Sequence, residues 1–253
     1  MPKYKIKTGL DISSDHIKST HHSVAQTLSE EECSKVYEGY KKVIHTPLDV
    51  PKVDLDLDLL DWLWQKHGEP LFDKDDTLDS RYRMLYLYSS SNCNSWVKKE
   101  IPQILDALHE LPFDKFDYVI FVSFPDHGLG PHFDLPNKSM LDKLRPWQPS
   151  QYRYRWTRVT EYTDEPFYLT KDRGQTKIYP MTPIHETNAF CYAGCSWEHG
   201  LEKGYSPNER TILMPVGDIN MTKAEKLIDR SIIKYSDYVL YDNILNETSN
   251  GNT

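Results

Sequence analysis

Residues 118–134 read YVIFVSFPDHGLGPHFD, and this stretch decides which kind of fold the chain is expected to have. Tyr118 to Phe124 is a nearly continuous run of β-branched and aromatic residues, which predicts a strand buried on both faces. The glycine- and proline-rich segment 125–131 predicts a turn that leads into a second extended segment. Residues two apart on an extended strand project from the same face, so His132 and Asp134 are predicted to lie side by side.

His199 and Arg210 complete a set with this histidine–aspartate pair. Two histidines and one carboxylate on one side of an ion, with the other positions open, suit a non-haem Fe(II) oxygenase. Arg210 follows His199 by 11 residues, and a guanidinium is a natural partner for a bound carboxylate such as that of 2-oxoglutarate. The sequence therefore predicts His132, Asp134 and His199 as catalytic metal ligands and Arg210 as a cosubstrate-binding residue.

With these residues in this order, the chain resembles the Fe(II)- and 2-oxoglutarate-dependent oxygenase superfamily, whose motif is H-x-D, a distal histidine and a later arginine. The segment 130–134 and the strand that begins at Arg210 look similar to its aspartyl/asparaginyl and prolyl hydroxylase branches. The resemblance covers roughly 118–218. It implies a double-stranded β-helix that holds Fe(II), uses O₂ and 2-oxoglutarate, hydroxylates an unactivated C–H bond, and releases succinate and CO₂.

The order of patterns along the chain predicts the fold class. Short strands separated by Pro, Gly and Asp follow a helical region, which indicates an α+β protein, mainly β, with an antiparallel sandwich or cupin-like jelly roll. We expect a single domain over 1–253. Its expected parts are a mainly helical support region (1–112), a β-helix core with the metal site (113–218), a C-terminal helix (219–245) and a loose tail (246–253).

Local periodicity predicts the individual elements. Apolar residues at helical spacing predict helices at 29–43, which begins with the capping box of Ser29 and Glu32, and at 56–66, 100–111 and 222–235. Alternating or β-branched runs predict strands at 81–88, 118–124, 152–162, 166–169, 189–192 and 210–216. A short helix is expected at 139–145, and whether 139–150 forms a lid over the site is left open.

The excess of acidic over basic residues in the chain limits its expected binding partners. With a formal net charge of −8, the protein is not expected to bind nucleic acid or an anionic membrane broadly. No apolar run approaches the roughly 18 residues that a membrane-spanning helix needs, and residues 1–10 have no apolar signal segment. We therefore expect a cytoplasmic protein, and the sequence leaves its oligomeric state open.

Four other residues near the motif carry weaker signals. His127 lies in the turn, out of phase with the face of the H-x-D pair, so we expect a loop position. His185 is expected to face solvent. The cysteines are too few and too scattered for a disulfide framework, so Cys191 and Cys195 are interpreted as reduced core thiols.

Arg153 and Arg155 lie on one face of the predicted strand 152–162, and Trp197 lies beside the distal histidine. One interpretation is that the two arginines bind an anionic part of the substrate, with Trp197 as a pocket wall. The alternative, which we prefer at this stage, is a solvated strand face whose arginines pair with acidic side chains at 161–165.

The expected substrate is a small molecule, with amino acids among the candidates, or a side chain of a peptide or protein. Two other functions stay open. A cupin-like binding or structural protein without catalysis would not need a carboxylate anchor at Arg210. A divalent-metal hydrolase would hold water at the open metal positions, and its activity would not depend on O₂.

Overall fold

The structure is a computed structural model that describes residues 3–8, 40–53, 57–70, 83–124, 129–132, 153–157, 167–194, 197–201 and 210–245. Some expected features lie outside these residues. They are the helix that begins at Ser29, the short helix at 139–145 with the question of a lid at 139–150, and the tail at 246–253.

The strands of the described residues form two antiparallel sheets. In spatial order, the smaller sheet contains β1 (Tyr4–Thr8), β10 (Thr176–Pro180), β9 (Phe167–Thr170), β12 (Glu198–Leu201) and β7 (Leu129–His132). In spatial order, the larger sheet contains β14 (Leu240–Tyr241), β2 (Val43–Pro47), β11 (Ala189–Tyr192), β8 (Arg153–Thr157), β13 (Arg210–Ile219), β6 (Phe113–Phe124), β4 (Arg83–Ser89) and β3 (Glu69–Pro70), with β5 (Asn92–Cys93) paired to β4.

From β6 to β13 the chain passes repeatedly from one sheet to the other. β6, β8, β11 and β13 belong to the larger sheet, whereas β7, β9, β10 and β12 belong to the smaller one. As a result, neighbours within a sheet are often distant in sequence. β12 lies between β9 and β7, and β13 lies between β8 and β6.

The two sheets pack face to face as a β-sandwich through aromatic side chains. The Phe167 ring of β9 lies 5.5 Å from the Phe190 ring and 5.0 Å from the Tyr192 ring of β11, measured between centroids. All three side chains are buried, and pairs at this distance add to the free energy gained by burying their apolar area. We call the face of the larger sheet that carries Phe190 and Tyr192 the inner face.

Helices cover the larger sheet and extend the same core. They are α1 (Leu57–His67), α2 (Ser95–Glu100), α3 (Gln103–His109) and α4 (Met221–Lys234), with 3₁₀ turns at Tyr40–Lys42 and Ser236–Tyr238. α1 contacts β4, and α4 contacts β2. No helix in the described part of the chain is long and apolar enough to cross a membrane.

The sequence of α4 explains both its start and its orientation. The Asn220 side chain accepts a hydrogen bond from the backbone N–H of Lys223 at 3.0 Å, so it caps the helix N-terminus. Ala224, Leu227 and Ile228 are spaced by three and four residues and are buried, which gives the helix one apolar face. This helix and α1 match the predicted helices at 222–235 and 56–66 closely.

The predicted helix 29–43 is wrong at its C-terminal end, because Val43 begins strand β2. Lys41 and Lys42 have φ angles of 53° and 56°, which lie in the left-handed region and interrupt a right-handed helix. The following residues, Val43 and Ile44, are β-branched and suit a strand that is buried along its length.

The predicted helix 100–111 corresponds to α3, which begins only at Gln103, whereas α2, which ends at Glu100, was not predicted. Proline disfavours helical backbone at the residue before it, and Ile101 accordingly has φ −139° and ψ 51° and ends α2. The N-terminal 112 residues, expected to be mainly helical, also carry strands β1 to β5 in the part that the structure describes. Of these, β4 pairs with β6 and widens the larger sheet.

Candidate functional site

Two of the three predicted metal ligands meet across neighbouring strands of the smaller sheet. His132 at the end of β7 and His199 in β12 are direct register partners. Residues directly opposite each other in an antiparallel pair lie on the same face, with their Cβ atoms roughly 4.5–5.5 Å apart. The topology of the sheet therefore places these two histidines on one face, although most of the β-rich half of the chain lies between them.

The structure describes the predicted set of four residues only in part. Asp134 lies outside the described residues, and His132 and Arg210 are described by their backbone alone. Arg210 is the first residue of β13 and pairs with Phe124 at the end of β6. Among the side chains that the structure describes, no three His, Cys, Asp or Glu residues cluster as a metal site.

His199 is enclosed by aromatic rings between the two sheets. Its side chain is 5% exposed, and its ring centroid lies 4.7 Å from that of Tyr192 and 5.9 Å from that of Phe167. The Tyr192 hydroxyl lies 3.3 Å from His199 Nε2. Tyr192 is therefore a site residue that the sequence did not reveal, although its position two residues after Phe190 in a predicted strand indicated a shared face.

The turn between β9 and β10 is hydrogen-bonded to the strand that carries His199. The backbone N–H of Arg173 donates to Glu198 Oε2 at 3.0 Å, one residue before His199. Gly174 has a φ angle of +88°, and a side-chain carbon built on it would lie 3.6 Å from Pro131, the neighbour of His132. The turn thus contacts β12 at the residue next to His199, and Gly174 leaves room only for an ordinary van der Waals contact between an added side-chain carbon and Pro131.

Arg155 lies on the inner face and is buried, with 8% of its surface exposed. In the ladder between β8 and β11, Arg155 pairs with Phe190 and Arg153 pairs with Tyr192, so both arginines share the face of these aromatic residues. The preferred interpretation of a solvated strand face is therefore wrong for Arg155. The reason is that the smaller sheet covers this face, which strand periodicity alone does not show.

Sequence comparison finds no family model that matches the chain and no curated protein that matches it. Structural comparison finds an oxidoreductase of the 2OG-Fe(II) oxygenase family from Burkholderia pseudomallei, with a TM-score of 0.39 and 12% identity over 74% of this chain and 91% of that one. A prolyl-4-hydroxylase from Pseudomonas putida has a TM-score of 0.38 and 11% identity over 72% and 96% of the two chains.

A third similar structure is a Trichoplax adhaerens prolyl hydroxylase in complex with a peptide fragment of a hypoxia-inducible factor. It has a TM-score of 0.37 and 9% identity over 78% of this chain and 96% of that one. All three TM-scores are below 0.5.

Trp197 has contacts that give it a structural role. Its side chain is fully buried, and its indole N–H donates to Asp242 Oδ1 at 3.2 Å. The Lys171 ammonium lies 4.5 Å from the indole ring and 2.6 Å from the same carboxylate oxygen. Trp197 thereby anchors the segment before β12 to the C-terminal part of the described chain.

The remaining residues singled out in the sequence do not join the histidine pair. His185 is exposed, as predicted. Cys191 is buried with a free thiol whose pKa is raised by that burial, and it pairs with Tyr154, on the opposite face of the sheet from Tyr192. His127 and Cys195 lie outside the described residues.

His45 should make the protein lose stability as the pH falls below 6.5. This histidine is 1% exposed in β2, and burial lowers its pKa from 6.5 to about 3, although a hydrogen bond with the backbone of Tyr238 acts in the opposite direction. Below pH 6.5 the unfolded chain binds a proton at this residue and the folded chain does not. The expected loss is about 2 kcal/mol at pH 5 relative to pH 8.

Urea unfolding of the parent protein and of His45→Gln at both pH values measures this effect. Glutamine keeps a hydrogen-bond donor but does not titrate, so the variant should lose about 2 kcal/mol less than the parent. His185→Gln, a substitution at an exposed histidine, is the matched control. If parent and His45→Gln lose equal stability between pH 8 and pH 5, the assignment of the effect to His45 is wrong.

Proposed function

We propose that this protein is an Fe(II)- and 2-oxoglutarate-dependent dioxygenase. It hydroxylates an unactivated C–H bond of a small molecule or of a peptide side chain and releases succinate and CO₂. The observation that carries this proposal is the direct pairing of His132 with His199 across β7 and β12. Two histidines on one face, with an aspartate two residues after the first, match the donor set that such chemistry needs.

The strand order supports a double-stranded β-helix as the finer description of the sandwich. In the larger sheet, β11, β8, β13 and β6 are successive neighbours, and in the smaller sheet, β10, β9, β12 and β7 are. Each of these sets joins strands from both ends of the segment 113–219. This is the arrangement expected when one long antiparallel ribbon is wound into a jelly roll of two four-stranded sheets.

The surroundings of His199 fit a resident metal ion. His132, Asp134 and His199 would hold Fe(II), which supplies the activation of O₂ that couples oxidation of 2-oxoglutarate to hydroxylation of the substrate. Phe167 and Tyr192 pack against the His199 imidazole and exclude water from one side of it. The Tyr192 hydroxyl is placed to hold the imidazole in one orientation.

Arg210 would bind the far carboxylate of 2-oxoglutarate. It starts β13 and lies two residues before Ile212, which pairs with Thr157 of β8. Thr157 in turn lies two residues after Arg155, so strand periodicity assigns Arg210 to the inner face as well. A guanidinium can donate two parallel hydrogen bonds to a carboxylate, which gives both affinity and orientation.

Addition of Fe(II) and 2-oxoglutarate to the protein without oxygen should produce a visible metal-to-ligand charge-transfer absorption. Chelation of an electron-rich Fe(II) by a 2-oxo acid generates this band, and neither component alone should give it. Admission of O₂ should then release succinate, and a panel of free amino acids and peptides should stimulate that release if it contains the substrate.

The same experiment separates the alternatives. A divalent-metal hydrolase would act without O₂ and would release no succinate. A cupin-like binding protein would bind the metal but give no absorption that depends on 2-oxoglutarate. Absence of the band at saturating Fe(II) and 2-oxoglutarate, in protein that binds the metal, would falsify the cosubstrate assignment.

A further inference from the structure

We propose that the inner face carries an anion subsite that holds a carboxylate of a small acidic substrate. This subsite consists of Arg153, Arg155, Tyr192 and Tyr118. The inference rests on the proposed function for its identification of the ligand as a substrate. It names a substrate class that neither the metal ligands nor Arg210 specify.

The first support is the position of Arg155 relative to His199. The Arg155 guanidinium carbon lies 5.7 Å from the centroid of the Tyr192 ring, and that ring lies 4.7 Å from the His199 ring. One aromatic side chain therefore separates the fixed positive charge from the proposed metal position. A molecule that bridges the two could be held by its anionic end while another carbon lies beside the metal.

The second support is the set of residues that share the face with Arg155. Tyr192 is the register partner of Arg153. Tyr118 pairs with Val216, which lies four residues after Ile212 in β13 and so shares the face of Thr157 and the two arginines. Two guanidinium groups and two phenols thus lie on one face of the sheet.

The third support is electrostatic. Partial desolvation raises the pKa of Tyr118, whereas the charges of Arg153 and Arg155 act to lower it, so both guanidinium groups lie within electrostatic range of this phenol. Tyr118 is 41% exposed, so this end of the subsite opens to solvent. In a chain with a formal net charge of −8, these two guanidinium groups supply positive charge at this position, beside the Asp117 carboxylate, which acts to raise the pKa of Tyr118.

The chemistry of these groups favours a carboxylate on a small molecule. The planar guanidinium matches the two oxygens of a carboxylate, and the Arg155 Nη1 donates to the Tyr154 carbonyl at 2.9 Å, which orients it. Arg155 is 8% exposed between the sheets, so only a small group can reach it. The Tyr192 oxygen can accept from the His199 Nε2–H, and the phenol then keeps its single O–H to donate to the carboxylate.

Calorimetric titration with benzoate and with benzamide tests the subsite, because the two probes differ mainly in charge. Each is added to protein saturated with Mn(II) and 2-oxoglutarate, so that the cosubstrate position is filled. Benzoate should bind at least about 10-fold more tightly than benzamide. Arg155→Met should remove that preference, Arg155→Lys should keep part of it, and Arg230→Met, at an exposed arginine, should leave it unchanged.

A folding check and a second variant decide what each outcome means. Circular dichroism and the thermal midpoint show whether Arg155→Met is folded, and Tyr192→Phe provides a second, milder variant that should weaken benzoate about 3- to 10-fold. Equal binding of benzoate and benzamide to the parent protein overturns the subsite, as does a retained preference in folded Arg155→Met. If Arg155→Met instead weakens 2-oxoglutarate, Arg155 belongs to the cosubstrate site and the subsite is wrong.

The subsite and the proposed function can fail separately. Titration of the metal-free protein with benzoate measures the anion preference without any oxygenase chemistry. A preference that depends on Arg155, in protein that gives no charge-transfer absorption with Fe(II) and 2-oxoglutarate, would retain the anion site and reject the dioxygenase. Charge-transfer absorption in protein that shows no anion preference would retain the dioxygenase and reject the anion site.

Discussion

Replacement of His199 with alanine should lower the affinity for Fe(II) by more than about 100-fold and reduce 2-oxoglutarate-dependent succinate release to background. The loss of a ligand exceeds the 10- to 100-fold cost that is typical for removal of a residue that only supports a ligand. His132→Ala should have the same effect, because the two residues are register partners on one face. Equilibrium dialysis with Fe(II) or Mn(II) measures the affinity directly.

Two controls make the His199 result interpretable. His199→Gln fills more of the volume between Phe167 and Tyr192, so a shared loss of metal binding in the folded glutamine and alanine variants excludes unfolding as the cause. His185→Ala removes an exposed histidine and should bind metal like the parent. Parent-like iron binding by both His132→Ala and His199→Ala would show that these residues are not the ligands.

Replacement of Arg210 with alanine should weaken 2-oxoglutarate by about 100-fold, or roughly 3 kcal/mol, while the affinity for Fe(II) changes by less than about 3-fold. Under the proposed function, the substitution would remove a charged two-point contact to the far carboxylate and would keep the proposed metal ligands in place. Anaerobic titration of the charge-transfer absorption with 2-oxoglutarate measures the first quantity, and metal dialysis measures the second.

Arg210→Lys should recover part of the 2-oxoglutarate affinity, because lysine keeps the charge but not the planar pair of donors. Arg230→Ala is the matched surface control. It removes an arginine whose ion pairs with Asp49 and Glu110 are partly exposed, and such pairs contribute little to stability. Equal losses of iron and 2-oxoglutarate affinity in Arg210→Ala would indicate misfolding rather than loss of an anchor.

Several elements could be predicted because the signal for them is local. The β-branched and aromatic run at 118–124 forms part of β6, and the amphipathic pattern at 222–235 forms α4. In both cases the period of the apolar residues is set by the geometry of the element itself. The prediction that the helix at 29–43 continues to Val43 was wrong for a related reason. The left-handed backbone at Lys41 and Lys42 has no signature in the spacing of apolar residues.

By itself, the sequence determined which side chains are available for chemistry. It contains the H-x-D pair at His132 and Asp134, a distal His199, and an Arg210 that starts an apolar strand. The order and types of these residues predict the metal and the cosubstrate. They do so because ligand chemistry depends on side-chain type, and because the two-residue period of a strand already relates His132 to Asp134.

Only the tertiary structure decided which distant residues meet. The pairing of β7 with β12 sets His132 opposite His199, and the packing of the smaller sheet on the inner face buries Arg155 and brings Tyr192 to the His199 imidazole. Pairing between strands far apart in the chain depends on the register and packing of the whole sandwich. No local pattern encodes that register. For this reason the sequence alone favoured a solvated Arg155 and gave no functional role to Tyr192.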